Sequence, residues 1–159
     1  MCIRDRLESV AIYVPGSTAS YPSSVLMNGI PALCAGVKRI VMINPGFKGK
    51  QNPAVLYAAK KLKIKEIYSI GGPSAIAAVA YGTKKIKPVN KVIGPGNQYV
   101  SAAKKEVFGD IGIEGMTAGP SEVTIVADKT SNPEWIASDL IGQAAVSYTH
   151  LRAHETASD

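Results

Sequence analysis

Several short Gly- and Pro-bearing segments hold the residues able to do chemistry. Tyr13-Val14-Pro15-Gly16-Ser17 follows a β-rich run, and its Pro-Gly pair makes a tight reversal. Tyr13 there either presents its ring to a flat ligand such as a nicotinamide or an adenine, or is buried at an ordinary strand-to-loop turn. Gly71-Gly72-Pro73-Ser74 joins a strand pattern to a helix pattern. It is either a compact joint or a place where backbone meets a ligand and free helix N–H groups attract an anion. Gly94-Pro95-Gly96-Asn97 repeats the arrangement, with Asn97 able to cap the next helix and to offer its amide to a cofactor. The G-x-G-x-x-G fingerprint is absent, so a dinucleotide site has to be argued from several joints together. In Ala118-Gly119-Pro120-Ser121-Glu122, Ser121 or Glu122 can touch a substrate, or the segment is a turn into a strand. Asp139 and Gln143, four apart, share one helix face.

His150, His154 and Glu155 make an H-x-x-x-H-E pattern of the kind that binds zinc on a helix. They lie in the tail SYTHLRAHETASD, which has no periodic apolar face, and MCIRDR at the other end has none either. Both stretches resemble translated sequencing-adapter sequence. Residues 1–6 and 147–159 are therefore set apart as foreign segments, the zinc reading is dropped with them, and 7–146 is taken as the folded domain.

Positioning these joints requires an alternation of strands and helices. Val-, Ile- and Tyr-rich runs predict strands over 10–14, 39–43, 66–70, 91–93 and 122–127. Apolar residues at three- and four-residue spacing predict helices over 23–35, 52–63, 74–81, 98–108 and 133–144. The last is signalled by Asn132 as cap, Pro133 at the first position and Glu134 in the first turn. Such βαβα order makes an α/β fold, a Rossmann-like parallel sheet with helices on both faces, and the nearly continuous hydrophobicity of the strands implies burial on both sides.

The 159 residues are 46% hydrophobic, which suits one soluble domain with its own core. No run reaches the roughly 18 apolar residues of a membrane helix, so no membrane partner and a cytoplasmic location are expected. Two cysteines, Cys2 and Cys34, offer neither a metal spacing nor a disulfide framework, and Cys34 between Leu33 and Ala35 reads as a small core residue. The net charge of +6 comes from lysines at 60, 61, 63, 65, 84, 85, 87, 104 and 105 among others. These fall at or just past helix ends, where they complement the dipole and are expected to stay solvated. No aromatic residues interleave with them as a base-stacking surface requires, so nucleic acid is not an expected partner.

Taken in order, the Tyr13-Val14-Pro15-Gly16 segment, Gly71-Gly72, Gly94-Pro95-Gly96-Asn97, Gly119-Pro120-Ser121-Glu122 and the run from Ser138 through Asp139, Gly142 and Gln143 to Ala144 resemble the histidinol dehydrogenase family. The resemblance covers residues 7–144, roughly the middle third of a typical member, so the fold is expected to be incomplete relative to the family's. It implies an NAD-binding domain of a homodimeric, zinc-dependent enzyme. That enzyme oxidises L-histidinol through histidinal to L-histidine by two hydride transfers, the last step of histidine biosynthesis. By the same resemblance Tyr13 and Asn97 match positions that contact NAD, Ser121 one that contacts substrate, and Gln143 a zinc ligand beside the substrate.

Three departures accompany the match. Pro73-Ser74 stands where the family commonly has Ala-Gln, so Ser74 replaces a Gln that contacts NAD. The stretch at 115–117 is about one residue longer than the common form. Most important, the family continues Gln-Ala-Glu-His, whereas this chain reads Gln143-Ala144-Ala145-Val146. The family's catalytic Glu-His pair and remaining zinc ligands therefore have no counterpart here, and the chain is expected to be an inactive fragment of its parent. The alternatives are a fragment of a same-family dehydrogenase for another alcohol, or a non-catalytic nucleotide-binding module. Sequencing the genomic DNA past the Ala144 codon is expected to read Glu-His; a native reading of the present tail overturns the expectation.

Overall fold

The computed structural model describes residues 7–16, 20–47, 50–114 and 124–146, the last four of these by backbone alone. It divides into two compact units, Met1–Gly119 and Pro120–Asp159. The first unit carries β1 (Ser9–Tyr13), α1 (Pro22–Cys34), β2 (Arg39–Ile43), α2 (Pro53–Lys61), β3 (Glu66–Tyr68), α3 (Gly72–Tyr81), β4 (Lys91–Ile93), α4 (Gln98–Glu106) and β5 (Gly112–Ile113). The second carries α5 (Pro133–Val146).

All strand pairings are parallel and the sheet order is β3-β2-β1-β4-β5. Side chains alternate across the strands, and both sides are apolar. Ala11, Tyr13, Val41, Ile43 and Val92 face α3 and α4 through Ala75, Ile76, Val79 and Val100. Val10, Ile12, Ile40 and Met42 face α1 and α2 through Val25, Ala32, Val55, Ala58 and Ala59. This is the expected Rossmann-like sheet covered on both faces.

Helix starts follow local chemistry. Asn52 accepts a hydrogen bond from Ala54 N at 2.8 Å and is followed by Pro53, which has no N–H to leave unpaired. Asn132 caps α5 in the same way, accepting from Glu134 N at 2.9 Å ahead of Pro133. At the amino edge Arg39 grips Glu66 bidentately, with Nε–Oε1 and Nη2–Oε2 both 2.8 Å, and also donates to the carbonyls of Pro88 and Lys87. One guanidinium thereby joins β2, β3 and the segment entering β4. The hydrogen bond from Arg39 holds the Glu66 carboxyl below its ordinary range, and its counterpart raises the guanidinium.

Four expectations are corrected. The fifth strand is Gly112–Ile113, paired with Lys91 and Val92; of the predicted 122–127, Thr124 to Ala127 form no strand, and the first two positions lie outside the described residues. A two-residue strand has too few side chains to show a period. The third strand ends at Tyr68, short of the predicted residue 70. Cys34 is exposed, because α1 buries Val25, Gly29 and Ala32, and a residue two past Ala32 points to the opposite side. Lys104 is not solvated but buried, 1% exposed, on the stripe it shares with Val100 and Val107.

Two outcomes follow. Ile43→Ala and Met42→Ala empty opposite cores, so each is expected to cost about 2–5 kcal/mol in urea unfolding. Because the folded-state pKa of Glu66 is depressed, its contribution is present above the unfolded value and lost as pH falls through the folded one. Glu66→Gln is therefore expected to cost less than about 1 kcal/mol near neutrality, the pair being partly solvated. The difference from the parent shrinks below the ordinary glutamate range of about 4.

Candidate functional site

After β1 the chain winds outward through β2 and β3, then returns to the other side of β1 to form β4. The connection from β1 leaves toward α1 on one face, and that from β4 leaves toward α4 on the other. Their carboxyl ends therefore part company, and an open α/β sheet binds ligands in the crevice so formed. The joints at 13–16 and 94–97 flank it.

Register pairs Ile12 with Ile93, which sets Gly94 against Tyr13. A Cβ at Gly94 would lie 2.3 Å from the Tyr13 carbonyl oxygen, and its φ of +112° is open to glycine alone in practice. Tyr13 is 4% exposed, its ring lying in the core on the α3 side. Its hydroxyl accepts a hydrogen bond from Gly72 N at 3.1 Å. Of the two readings of Tyr13, burial is the one observed, and the tyrosine anchors the first turn of α3 to the end of β1.

That first turn is Gly72-Pro73-Ser74, following an N-cap, Gly71, that supplies no side-chain bond. Gly72 has φ +70° and open space where a Cβ would sit, so backbone is accessible there. Gly72 N is used by Tyr13 and Pro73 has no N–H, which leaves Ser74 N as the donor of that turn without a partner among the described residues. Ser74 itself is exposed. At α4, Asn97 Oδ1 accepts from Val100 N at 3.0 Å, so its exposed amide group stays free to donate. A cavity of about 300 Å³ adjoins this joint, lined by Ile93, Gly94, Pro95, Glu114 and the Met27 side of α1. A larger one, about 450 Å³, lies at the opposite amino edge between the β2 and β3 entries, away from the crevice.

The carboxyl edge of the sheet thus carries Tyr13, Asn97 and the Ser74 turn, with the Tyr13 hydroxyl bonded to the start of that turn. Ser121 lies outside the described residues, as do His150 and His154. Gln143 belongs to α5 in the second unit, with Asp139 one turn before it, and only its backbone is described. Among the described residues no three His, Cys, Asp or Glu side chains gather as a metal site.

The sequence reading missed one residue, Asn44, and the role of another, Lys104. Asn44, 2% exposed, donates to the Val14 carbonyl at 2.8 Å and accepts from Gly46 N at 3.1 Å, locking the loop after β1 to the loop after β2. Its signal was Asn44-Pro45-Gly46 after a strand, the same punctuation as at the other joints. Lys104 donates to the Gly94 carbonyl and pairs with Glu114. Its signal was its place between Val100 and Val107 at helical spacing.

Sheet order and glycine-lined joints define a Rossmann-like α/β domain. The histidinol dehydrogenase family model matches residues 4–149, and the chain belongs to that family. It is 87% identical over 138 residues to the histidinol dehydrogenase of Pelagibacter ubique, covering 87% of this chain and 32% of that one. With the Brucella abortus histidinol dehydrogenase it shares 62% over the same length and coverage. The crystal structure of histidinol dehydrogenase from Elizabethkingia anophelis superposes with a TM-score of 0.80 at 44% identity, covering 91% of this chain and 36% of that chain. The chain spans about a third of the length of the curated relatives it matches.

Gly94→Ala is expected to cost at least about 2 kcal/mol, from the left-handed backbone and the overlap with Tyr13. Denaturant unfolding checks it; a variant as stable as the parent contradicts the geometry.

Proposed function

We propose that the protein carrying this stretch is an NAD-dependent histidinol dehydrogenase, oxidising L-histidinol through histidinal to L-histidine at the end of histidine biosynthesis, as a cytoplasmic homodimer using zinc. The observation that carries the cofactor reading is the crevice itself, where Gly72 leaves backbone open and Ser74 N and the Asn97 amide are left to donate. The substrate reading is supported by 87% identity to the Pelagibacter ubique histidinol dehydrogenase.

The crevice residues suit NAD, which when bound supplies the hydride acceptor. Gly72 and Gly96 let backbone approach a phosphate or ribose, and Ser74 N and the α4 start offer partial positive charge to the pyrophosphate. Asn97 is poised to orient the nucleotide because its oxygen is occupied by the cap and only its NH2 faces outward. Tyr13, buried, acts through the Gly72 bond and not by stacking its ring face on a base. Ser121 and Gln143 are the proposed substrate contacts, Gln143 also the proposed zinc ligand. The described residues do not assemble a zinc site.

Alcohol oxidation also needs a group to take the hydroxyl proton, and the chain reads Ala145-Val146 where the family has its Glu-His pair. The 159-residue chain alone is therefore proposed to be inactive, with 1–6 and 147–159 foreign to the fold.

The test is the full-length protein with histidinol and NAD, in which two NADH are expected per histidinol. Turnover of a different alcohol instead points to another same-family dehydrogenase, and NAD binding without turnover of any alcohol points to a nucleotide-binding module. Asn97→Asp keeps the capping oxygen while replacing the amide donor with a negative charge. It is expected to weaken NAD binding at least about tenfold by calorimetry, with thermal stability nearly unchanged; unaltered NAD affinity removes Asn97 from the site.

A further inference from the structure

Lys104 is an expensive residue for its place. Val100 on the same stripe of α4 and Val107 just past its end are ordinary core residues, and an ammonium among them loses its hydration unless it is paired and hydrogen-bonded. Both conditions are met at the carboxyl edge of the sheet. Helical side chains lean toward the helix start, and the Lys104 Nζ reaches the Gly94 carbonyl, ahead of the Asn97 cap, while pairing with Glu114 just past β5. The second Glu114 oxygen is buried without a partner among the described residues, so the ammonium is the carboxylate's described counter-charge. A methionine would fill the same space at less cost, which makes packing alone a poor account of the lysine.

What the ammonium holds is the joint of the crevice. The loop 94–97 is fixed at its far end by the Asn97–Val100 bond and at its near end by Lys104 on Gly94. Between these clamps Gly96 N is a backbone donor with no partner among the described residues. We propose that Lys104, held by Glu114, is a positioning residue for nucleotide binding: it sets the Gly94-Pro95-Gly96-Asn97 backbone against which the cofactor lies and takes no part in the chemistry. This rests on the reading of the crevice as an NAD site.

The experiment uses the full-length protein, with NAD affinity from calorimetry and KM and kcat from steady-state rates. Lys104→Met removes the clamp but strands the Glu114 carboxylate, so Lys104→Met/Glu114→Gln is made beside it. The double variant is expected to fold and to lose about tenfold or more in NAD affinity and KM, with kcat at saturating NAD and KM for histidinol within about twofold of the parent. A folded double variant with unchanged NAD affinity overturns the proposal. So does a uniform loss of kcat and both KM values, or failure of both variants to fold, since either marks a strut of the core. If the parent binds NAD but leaves histidinol unoxidised, the substrate assignment fails while the calorimetric comparison still decides the role of Lys104; a parent that binds no NAD overturns both.

Discussion

A sheet that winds outward from β1 on one side and then on the other cannot keep its connections together at the reversal. The loops after β1 and β4 are driven to opposite faces, and everything of functional interest in the first unit gathers where they separate. The two cores are consequences of the same winding, since each direction delivers one pair of helices to one face. Because both faces are buried, the strands can be short and uniformly apolar, and polar residues are confined to their ends. Asn44 and Glu114 sit directly past such ends, and Ser74 and Asn97 at the helix starts that follow.

The reversal is then secured by a few contacts that admit little variation. Gly94 touches Tyr13 backbone so closely that no side chain fits, the Tyr13 hydroxyl reaches Gly72, and Asn44 holds the loop after β1 to the loop after β2. These bonds link the ends of β1, β2 and β4 to the start of α3. A ligand in the crevice would meet a surface whose shape is determined by backbone geometry more than by side-chain choice.

Much of this was legible in the sequence, for identifiable reasons. Strands β2 and β4 and the start of α5 were read from residue types that act locally, namely β-branched runs and an Asn-Pro-Glu start. The joints were visible because Gly and Pro have local conformational meaning. What was missed depends on partners distant in sequence. Lys104 looked like the neighbouring lysines until Gly94 and Glu114 were seen beside it, and Asn44 looked like a turn residue until the β1 loop was seen to use it. Strand β5 is defined only by its pairing with β4, and Cys34 was misplaced because the buried face of α1 is set by Val25, Gly29 and Ala32 and not by local hydrophobicity. At the site, Tyr13 and Asn97 were found as types, but the burial of Tyr13 and the division of labour within the Asn97 amide required coordinates.

The brevity of the outermost strands has a further consequence. The edges of this sheet are β3, three residues long, and β5, two residues long, while the longer β1 and β2 lie inside. An edge strand exposes unpaired backbone groups that recruit strands from other molecules, and the risk grows with its length and flatness. Among the described residues, a sheet tapered in this way offers passing chains almost no ladder to extend, so the lengths of its elements themselves limit strand-by-strand aggregation.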